Sequence, residues 1–543
     1  MSNTMLTLLS RTALEEYTRA GHWADETIYA IAARHARTTP QAPAARDRLG
    51  VMSYRDIVAA ADALAHDMAA RGVRIGQRVA VWLPSRVETA IALLACSRNG
   101  YVCCLSLHRD HTVADIVALC ERMRAVALIA QPGYGADAAR ADIFTASEAV
   151  PSLRHVYRLG EARGLPIDAN APETPANSDP NRIIYLPFTS GTTGQPKGVM
   201  HSDNTLLANA RAMARDWRFG PESVTYTMSP LSHNLGLGAL ITAIVCGGEL
   251  VVHDIARGAS LLDRLVETGA TFLFGVPTHA IDLLSELRSR GAARLGRVTG
   301  FRISGAAATA EVIAALMGYG VTPQSGYGMT ETCSHQYTLP TDDPELIANS
   351  CGRACPGYEV RIWSQEDPDR AAAIGEVGQI GSRGASLMLG YFDDQATTEA
   401  SFNADGWFMT GDLGWMDAEG FLRIVGRKKD LIIRGGHNIY PARIEALAMR
   451  HPGIDKVAAF PVDDARLGER VCLAMVQRQA FDPEAILTHL DAEGLSRYDM
   501  PEFVLVMEAL PMTASGKIVK RDLQTLVRQG ALQPLPVRFG VSA

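Results

Sequence analysis

Two glycines, Gly191 and Gly194, bracket Thr192 and Thr193 in the stretch Pro187-Phe-Thr189-Ser190-Gly-Thr-Thr-Gly-Gln-Pro-Lys197-Gly-Val199. Open backbone N–H groups, hydroxyl donors and one cation are what a polyphosphate requires of a loop. The Walker pattern is excluded, because Lys197 is followed by Gly198 and the glycine spacing differs. Downstream, Tyr327-Gly-Met-Thr330-Glu331 offers an aromatic face, a hydroxyl and a carboxylate close together. Such a carboxylate is the kind of oxygen donor a hard cation takes, although an isolated Thr-Glu pair is more often a helix cap. Ser304-Gly305-Ala306-Ala-Ala308 is a run of small residues that lets other groups approach the backbone closely. Trp407-Phe-Met-Thr-Gly-Asp412 sets a carboxylate after a tight turn, and Gly426-Arg427-Lys-Lys429-Asp430 is a charged turn. The glycines of Arg434-Gly435-Gly436-His437-Asn438-Ile-Tyr-Pro441 suit a loop that passes close to a narrow ligand. Pro511-Met-Thr-Ala-Ser-Gly-Lys517 presents a lysine directly after a glycine.

The elements that must carry these segments are legible in outline. Ser53 opens a helix whose Ile57, Ala61, Leu64 and Met68 share one face, and Gly72 ends it. Val79 to Leu83 reads as a strand, Ser85-Arg-Val-Glu88 as a capping box before a second helix ending near Gly100, and Tyr101 to Leu105 as the next strand. Strand, helix, strand in so short a span is a βαβ unit with parallel strands. Residues 165–181, rich in Pro, Asp, Asn and Ala, form an exposed loop before a strand at Ile183 to Leu186. Thr271 to Gly275 and Gly300 to Ile303 continue the βα rhythm. After about residue 420 the pattern changes. Phe421 to Val425 and Leu431 to Ile433 read as a hairpin bridged by Arg427 to Asp430, followed by a helix from Pro441, strands near Val457 to Val462 and Val471 to Val476, and a helix from Asp482. The fold class is a large α/β N-terminal domain with parallel βαβ units, then a small, mobile α+β C-terminal domain.

The chain has 543 residues, 47% hydrophobic and 20% charged, which predicts a globular protein of more than one domain. A net charge of −7 and no basic face argue against a nucleic-acid partner. Nine scattered cysteines, two of them adjacent at Cys103 and Cys104, suit a reducing compartment, and Cys351 and Cys355 lack a second pair for a metal. Residues 1–21 include Glu15 and Glu16 and no long apolar run, so no secretory signal is read. The longest apolar stretch, residues 235–246, is too short to span a bilayer. A cytoplasmic protein without an integral membrane segment is expected.

Six motifs, in order, resemble those of the adenylate-forming superfamily: acyl-CoA synthetases, aryl-acid ligases, peptide-synthetase adenylation domains and luciferases. The resemblance covers nearly the whole chain and implies domains at residues 1–426 and 427–543, with a hinge near Lys429. It assigns Thr189, Ser190, Gly191, Thr192, Thr193, Gly194 and Lys197 to the phosphates of ATP, Gly305, Ala306 and Tyr327 to adenine, Thr330 to a phosphate oxygen, and Asp412 and Arg427 to ribose. Glu331 would hold Mg2+, and Lys517 would be the mobile catalytic lysine of adenylation. His233, in Pro230-Leu-Ser-His233-Asn234, resembles the residue that closes the acid site. Gly435, Gly436, His437 and Asn438 would line the coenzyme A channel.

What the resemblance implies is an AMP-forming acid–CoA ligase closest to medium-chain or cyclic-acid ligases, using ATP, Mg2+ and coenzyme A. An aryl-acid adenylating enzyme that loads a carrier protein, and a nucleotide-binding regulator without catalysis, remain as alternatives. By analogy the acid pocket is lined by His233, Asn234, Leu235, Val276, Ser304, Gly326, Met329 and Cys333. Most are small or apolar and none is Arg or Lys, so a hydrophobic monocarboxylic acid is expected, aliphatic, alicyclic or aromatic. The segment from Pro511 to Lys517 also resembles the site read by lysine acetyltransferases that silence CoA ligases, with a deacetylase to restore them. The oligomeric state, a homodimer included, stays open.

Overall fold

Ser53 accepts from the Asp56 N–H while Asp56 accepts from the Ser53 N–H, and this reciprocal cap starts the helix Tyr54–Ala70. Its Ile57, Ala61, Leu64 and Met68 stripe is buried, as the spacing predicts. The computed structural model describes residues 8–168, 170–189, 196–256, 258–305, 308–512 and 518–539.

Strand Arg78–Trp82, helix Val87–Asn99 and strand Val102–Cys104 form the expected βαβ unit, with the strands parallel. They sit in a six-stranded sheet of order His201–Ser202, Ile183–Tyr185, Val102–Cys104, Arg78–Trp82, Ala125–Ala130, His155–Arg158, antiparallel only at the His201 edge. A nine-stranded sheet runs Arg353–Ala354, Cys333–Tyr337, Thr322–Met329, Gly300–Ile303, Phe272–Gly275, Val224–Thr227, Glu249–Val252, Pro43–Asp47, Gly50–Ser53. Its interior from Thr322–Met329 to Pro43–Asp47 is parallel. Parallel strands covered on both faces read as continuous apolar runs, and all six residues of Ala125–Ala130 are buried.

The second helix departs from the sequence reading. Ser85 and Glu88 make no capping box: Arg86 holds the cap position without a side-chain cap bond, and every residue of Val87–Asn99 is buried. Glu88 instead pairs in bidentate fashion with Arg86 (Nε–Oε2 2.8 Å, Nη2–Oε1 2.9 Å) and accepts the Gly164 N–H at 3.0 Å. A helix enclosed on all sides offers its first-turn carboxylate no water, so the carboxylate takes a fixed cation. Burial opposes the charge, but these bonds prevail and hold the Glu88 carboxyl below its ordinary range.

The chain divides into two compact units, Met1–Val360 with Ser382–Phe408 and Ala418–Leu422, and Arg361–Gly381 with Met409–Asp417 and Arg423–Ala543. Both large sheets belong to the first. The second holds a mixed sheet of order His437–Ile439, Ile432–Arg434, Gly468–Gln477, Phe503–Val506, Leu535–Pro536, with Ile454–Asp464 also paired to Gly468–Gln477. Helices Pro441–Ala448, Ala485–Ala492 and Lys520–Arg528 accompany it. A large α/β part and a small α+β part are therefore present, as read from the sequence.

The hairpin expected across Arg427 to Asp430 does not form. Leu422–Arg427 ends a four-stranded sheet with Tyr358–Trp363, Gly378–Gly384 and Phe408–Met416, whereas Ile432–Arg434 pairs with His437–Ile439. Lys428–Asp430 is a 3-10 turn that carries the chain from one sheet to the other. The true hairpin turns on Gly435 and Gly436, whose φ angles of 58° and 88° are the left-handed pair a two-residue turn demands.

All nine cysteines are free thiols. Among the described residues no helix is long and apolar enough to cross a membrane.

Candidate active site

Phe188–Thr189 pairs antiparallel with Lys197–Gly198, setting Thr189 opposite Lys197. The Phe188 N–H donates to Ser106 Oγ at 2.6 Å and the Val199 N–H to the Pro187 carbonyl at 2.8 Å, which fixes both sides. Ser190, Gly191, Thr192, Thr193 and Gly194 lie outside the described residues.

A third segment runs beside this pair. The Met200 N–H donates to the Gly390 carbonyl (3.0 Å), the Leu389 N–H to Met200 (2.8 Å) and the Phe392 N–H to Gly198 (2.7 Å), with Val199 bridged to Tyr391. Lys197 Nζ consequently lies 4.9 Å from the centre of the Tyr391 ring. The Tyr391 hydroxyl donates to Glu331 Oε1 at 2.9 Å, and the Met388 N–H donates to the Glu331 carbonyl at 2.7 Å. Burial, reinforced by the Glu331 charge, pushes the Tyr391 hydroxyl well above the usual phenol range, so it stays a donor. Lys197 and Glu331, far apart in sequence, thus share one buried tyrosine.

The residue before Glu331 is held as firmly. The Thr330 carbonyl accepts from His201 Nε2 at 2.7 Å and from Asn234 Nδ2 at 3.4 Å, and Asn234 Oδ1 accepts from the Tyr185 hydroxyl at 3.0 Å. Burial pushes the His201 imidazole down to about 4, so the ring is neutral and carries its proton on Nε2, where the carbonyl can only accept. Tyr327 is buried with its ring edge-on to His335 at 5.4 Å. A Cβ on Gly328 would fall 2.0 Å from the Cys333 carbonyl oxygen, so only glycine lets this turn close. Ser304 donates its N–H to the Gly275 carbonyl at 3.1 Å, and a Val276 methyl lies 3.6 Å from the Cβ position of Gly305, which sets Ser304 and Gly305 beside Gly275 and Val276. Ala306 lies outside the described residues.

His233, Asn234, Leu235, Val276, Ser304, Gly326, Met329 and Cys333 are all half-buried, as residues lining an accessible cleft would be. His233 stacks on His108 (4.2 Å between ring centres), which stacks on His111 (5.3 Å) and bonds Ser232 Oγ through Nδ1 at 3.0 Å. Burial, then the two neighbouring imidazoles, push His108 down to about 2, so its ring is neutral at working pH. Nothing in the sequence reading had joined His108 or His111 to His233.

In the second unit Arg427 Nε lies 3.1 Å from Asp412 Oδ1, across the neighbouring strands Phe408–Met416 and Leu422–Arg427. Asp412 is buried and Arg427 exposed. Gly435, Gly436, His437 and Asn438 are exposed, and His437 Nε2 meets Asp499 Oδ1 at 2.8 Å. Lys429 is exposed in its 3-10 turn. Lys517 lies outside the described residues, between Met512 and Ile518, which form a bridge.

Among the described residues no group of three possible metal ligands occurs. A lone oriented carboxylate, Glu331, fits Mg2+, which takes most of its oxygens from nucleotide phosphates and water.

Residues 32–392 match the family of AMP-binding enzymes, and residues 443–517 match the AMP-binding enzyme C-terminal domain. Medium-chain fatty-acid–CoA ligase of Escherichia coli K12 is 29% identical over 518 residues, covering 93% of this chain and 91% of its own. Sulfoacetate–CoA ligase of Cupriavidus necator is 32% identical over 516 residues, covering 92% and 97%. O-succinylbenzoate coenzyme A synthetase of Bacillus subtilis, solved with AMP, is similar in structure with a TM-score of 0.80 at 25% identity, over 91% of this chain and 98% of that one. Matched along nearly its whole length, the chain has the adenylate-forming fold and belongs to the family of AMP-binding enzymes.

Proposed function

We propose that the protein is an AMP-forming carboxylic acid–CoA ligase using ATP, Mg2+ and coenzyme A. In the first half-reaction a substrate carboxylate oxygen bonds to the α-phosphorus of ATP and the bond to pyrophosphate breaks, giving acyl-AMP. In the second, the coenzyme A sulfur bonds to the acyl carbon, AMP leaves with the bonding pair, and the thiol proton passes to solvent.

The observation that carries this reading is the meeting of Lys197 and Glu331 at Tyr391. Two anions must approach each other in the first step, and preorganised cations and donors lower that barrier by several kcal/mol. Lys197 would face the phosphates. Glu331 would hold Mg2+, which supplies further neutralisation of phosphate oxygens when bound. Thr330, its carbonyl already engaged, would turn its hydroxyl to a phosphate oxygen. Tyr327 and Gly305 with Ala306 would take adenine, and the paired Asp412 and Arg427 the ribose. His233, stacked on His108, would close the acid site.

Lys517 would neutralise the carboxylate–phosphate encounter, and rotation about Lys429 would then exchange it for the turn at Gly435 to Asn438 in thioester formation. Acetylation of Lys517 would remove its charge and silence the first step. Nine free thiols support a cytosolic setting.

Pyrophosphate release from ATP, Mg2+ and a panel of acids tests the ligase reading. Acyl-AMP followed by coenzyme A or by a phosphopantetheinylated carrier protein separates a CoA ligase from a carrier-loading enzyme. Silence with every acid would leave only a nucleotide-binding regulator.

A further inference from the structure

Against Gly326, one of the half-buried acid-pocket candidates, lies a charge that the sequence reading did not include. Arg302, on strand Gly300–Ile303, is 0% exposed. Its Nη1 donates to Gln324 Oε1 at 2.6 Å on the adjacent strand, and its guanidinium lies 5.5 Å from the Tyr337 ring centre. Among the described residues, Arg302 Nε, Arg302 Nη2 and Gln324 Nε2 meet no acceptor. Burial pushes the Arg302 guanidinium down to about 10, which leaves it fully charged at neutral pH. A buried donor without an acceptor is costly, the more so when charged, so three together in one place ask for an explanation.

Gly326 gives it. This residue is half-buried, and a Cβ placed on it would come within 2.8 Å of Arg302 Nη2 and 2.9 Å of the Gln336 carbonyl oxygen. The position therefore places no side chain against the guanidinium. Gln324, Gly326 and Arg302 share one face of two neighbouring parallel strands, with Arg302 in register with Gln324. All three unsatisfied groups are donors, so their common complement is an acceptor, and the charge of Arg302 favours an anionic one.

We propose that Arg302, with Gln324, forms a specificity subsite at the floor of the acid pocket and takes an acceptor oxygen at the far end of the substrate acid, with a second carboxylate as its strongest ligand. This rests on the reading of Ser304 and Gly326 as acid-pocket residues. It departs from the hydrophobic monocarboxylic acid expected from the sequence and puts in its place an acid that is polar at both ends.

The test is kcat/KM for pyrophosphate release with length-matched acids ending in methyl, hydroxyl, ketone or carboxylate, aliphatic and aromatic. Wild type should favour the carboxylate-ended acid over its methyl-ended match by at least about tenfold, with ketone between them. In Arg302→Met that ratio should fall by about tenfold or more, and in Arg302→Lys by less, since a point charge remains but the fork is lost. Should Arg302→Met fail to fold, the wild-type ranking and Gln324→Met, which removes one donor and the Nη1 acceptor, carry the test. Equal or better turnover of methyl-ended acids by wild type overturns the proposal, as does a ratio unmoved by Arg302→Met, which would mark a purely structural arginine. Those results leave the ligase reading intact, whereas no turnover of any acid removes both.

Discussion

Tyr391→Phe deletes one oxygen and keeps the ring under Lys197, so it isolates the hydroxyl that holds Glu331. That bond is 2.9 Å long between two buried side chains, Tyr391 at 6% and Glu331 at 7% exposure. A hydrogen bond to a charged partner contributes about 1.5–3 kcal/mol. At about 1.4 kcal/mol per factor of ten, its loss should lower kcat/KM for ATP–pyrophosphate exchange about tenfold to a hundredfold. The Mg2+ concentration for half-maximal exchange should rise in parallel, because the carboxylate loses its fixed orientation. Thioester formation from preformed acyl-AMP should stay within about twofold, since that step does not build charge at the phosphates. Tyr391→Leu also removes the ring face and should cost a further 0.5–2 kcal/mol or so, through Lys197. A folded Tyr391→Phe protein with wild-type exchange and an unchanged Mg2+ requirement would refute the idea that this tyrosine sets the metal ligand.

Lys517→Ala should abolish acyl-AMP formation while sparing thioester formation from preformed acyl-AMP, and equal loss in both half-reactions would exclude an exchange of domains about Lys429. Gly436→Leu should spare exchange and block transfer to coenzyme A; its φ of 88° adds backbone strain, so a thermal melt must accompany the assay. Asp203 is buried, accepts the Ile28 N–H and the Ser97 hydroxyl at 2.8 Å each, and has its carboxyl pushed up to about 7 by burial. Its folded value lies above the unfolded one, so the stability it contributes is complete below about pH 4 and is lost as pH rises through about 7, up to about 4 kcal/mol. Asp203→Asn should therefore flatten the melting temperature between about pH 4 and 7, and a slope identical to wild type would show that the carboxyl does not titrate there.

The parts of the molecule legible in sequence are those whose residue types are dictated locally. Gly435 and Gly436 were legible as a special loop, though not as the hairpin turn that their two left-handed φ angles make. The helix Tyr54–Ala70 announced itself by its cap and its stripe. Failures came where the deciding neighbour is distant in sequence. Ser85 to Glu88 has the letters of a capping box, but enclosure of the helix on every side gives Glu88 to Arg86 instead. Leu422–Arg427 and Ile432–Arg434 lie next to each other in sequence, yet their pairing partners are other strands. Arg302 looks like any strand arginine until Gly326, on the next strand, turns out to leave room for its guanidinium.

Tyr391 shows why such residues matter to the chemistry. Its segment bonds to Gly198 and Met200 through Phe392, Leu389 and Gly390, and to Glu331 through Met388, so one short stretch of backbone spans from the lysine after the glycine-rich loop to the candidate metal ligand. Preorganisation requires that a cation and the carboxylate that positions a second cation keep their spacing while phosphate enters between them. Side chains on separate loops would each relax toward the nucleotide and lose that advantage. Four main-chain hydrogen bonds and one tyrosine hydroxyl, contributed by residues without any motif of their own, instead tie the spacing of Lys197 and Glu331 to the sheet. On the proposed reading the motifs would mark what meets the ligand, and the unmarked segment from Met388 to Phe392 would set how far apart it is met.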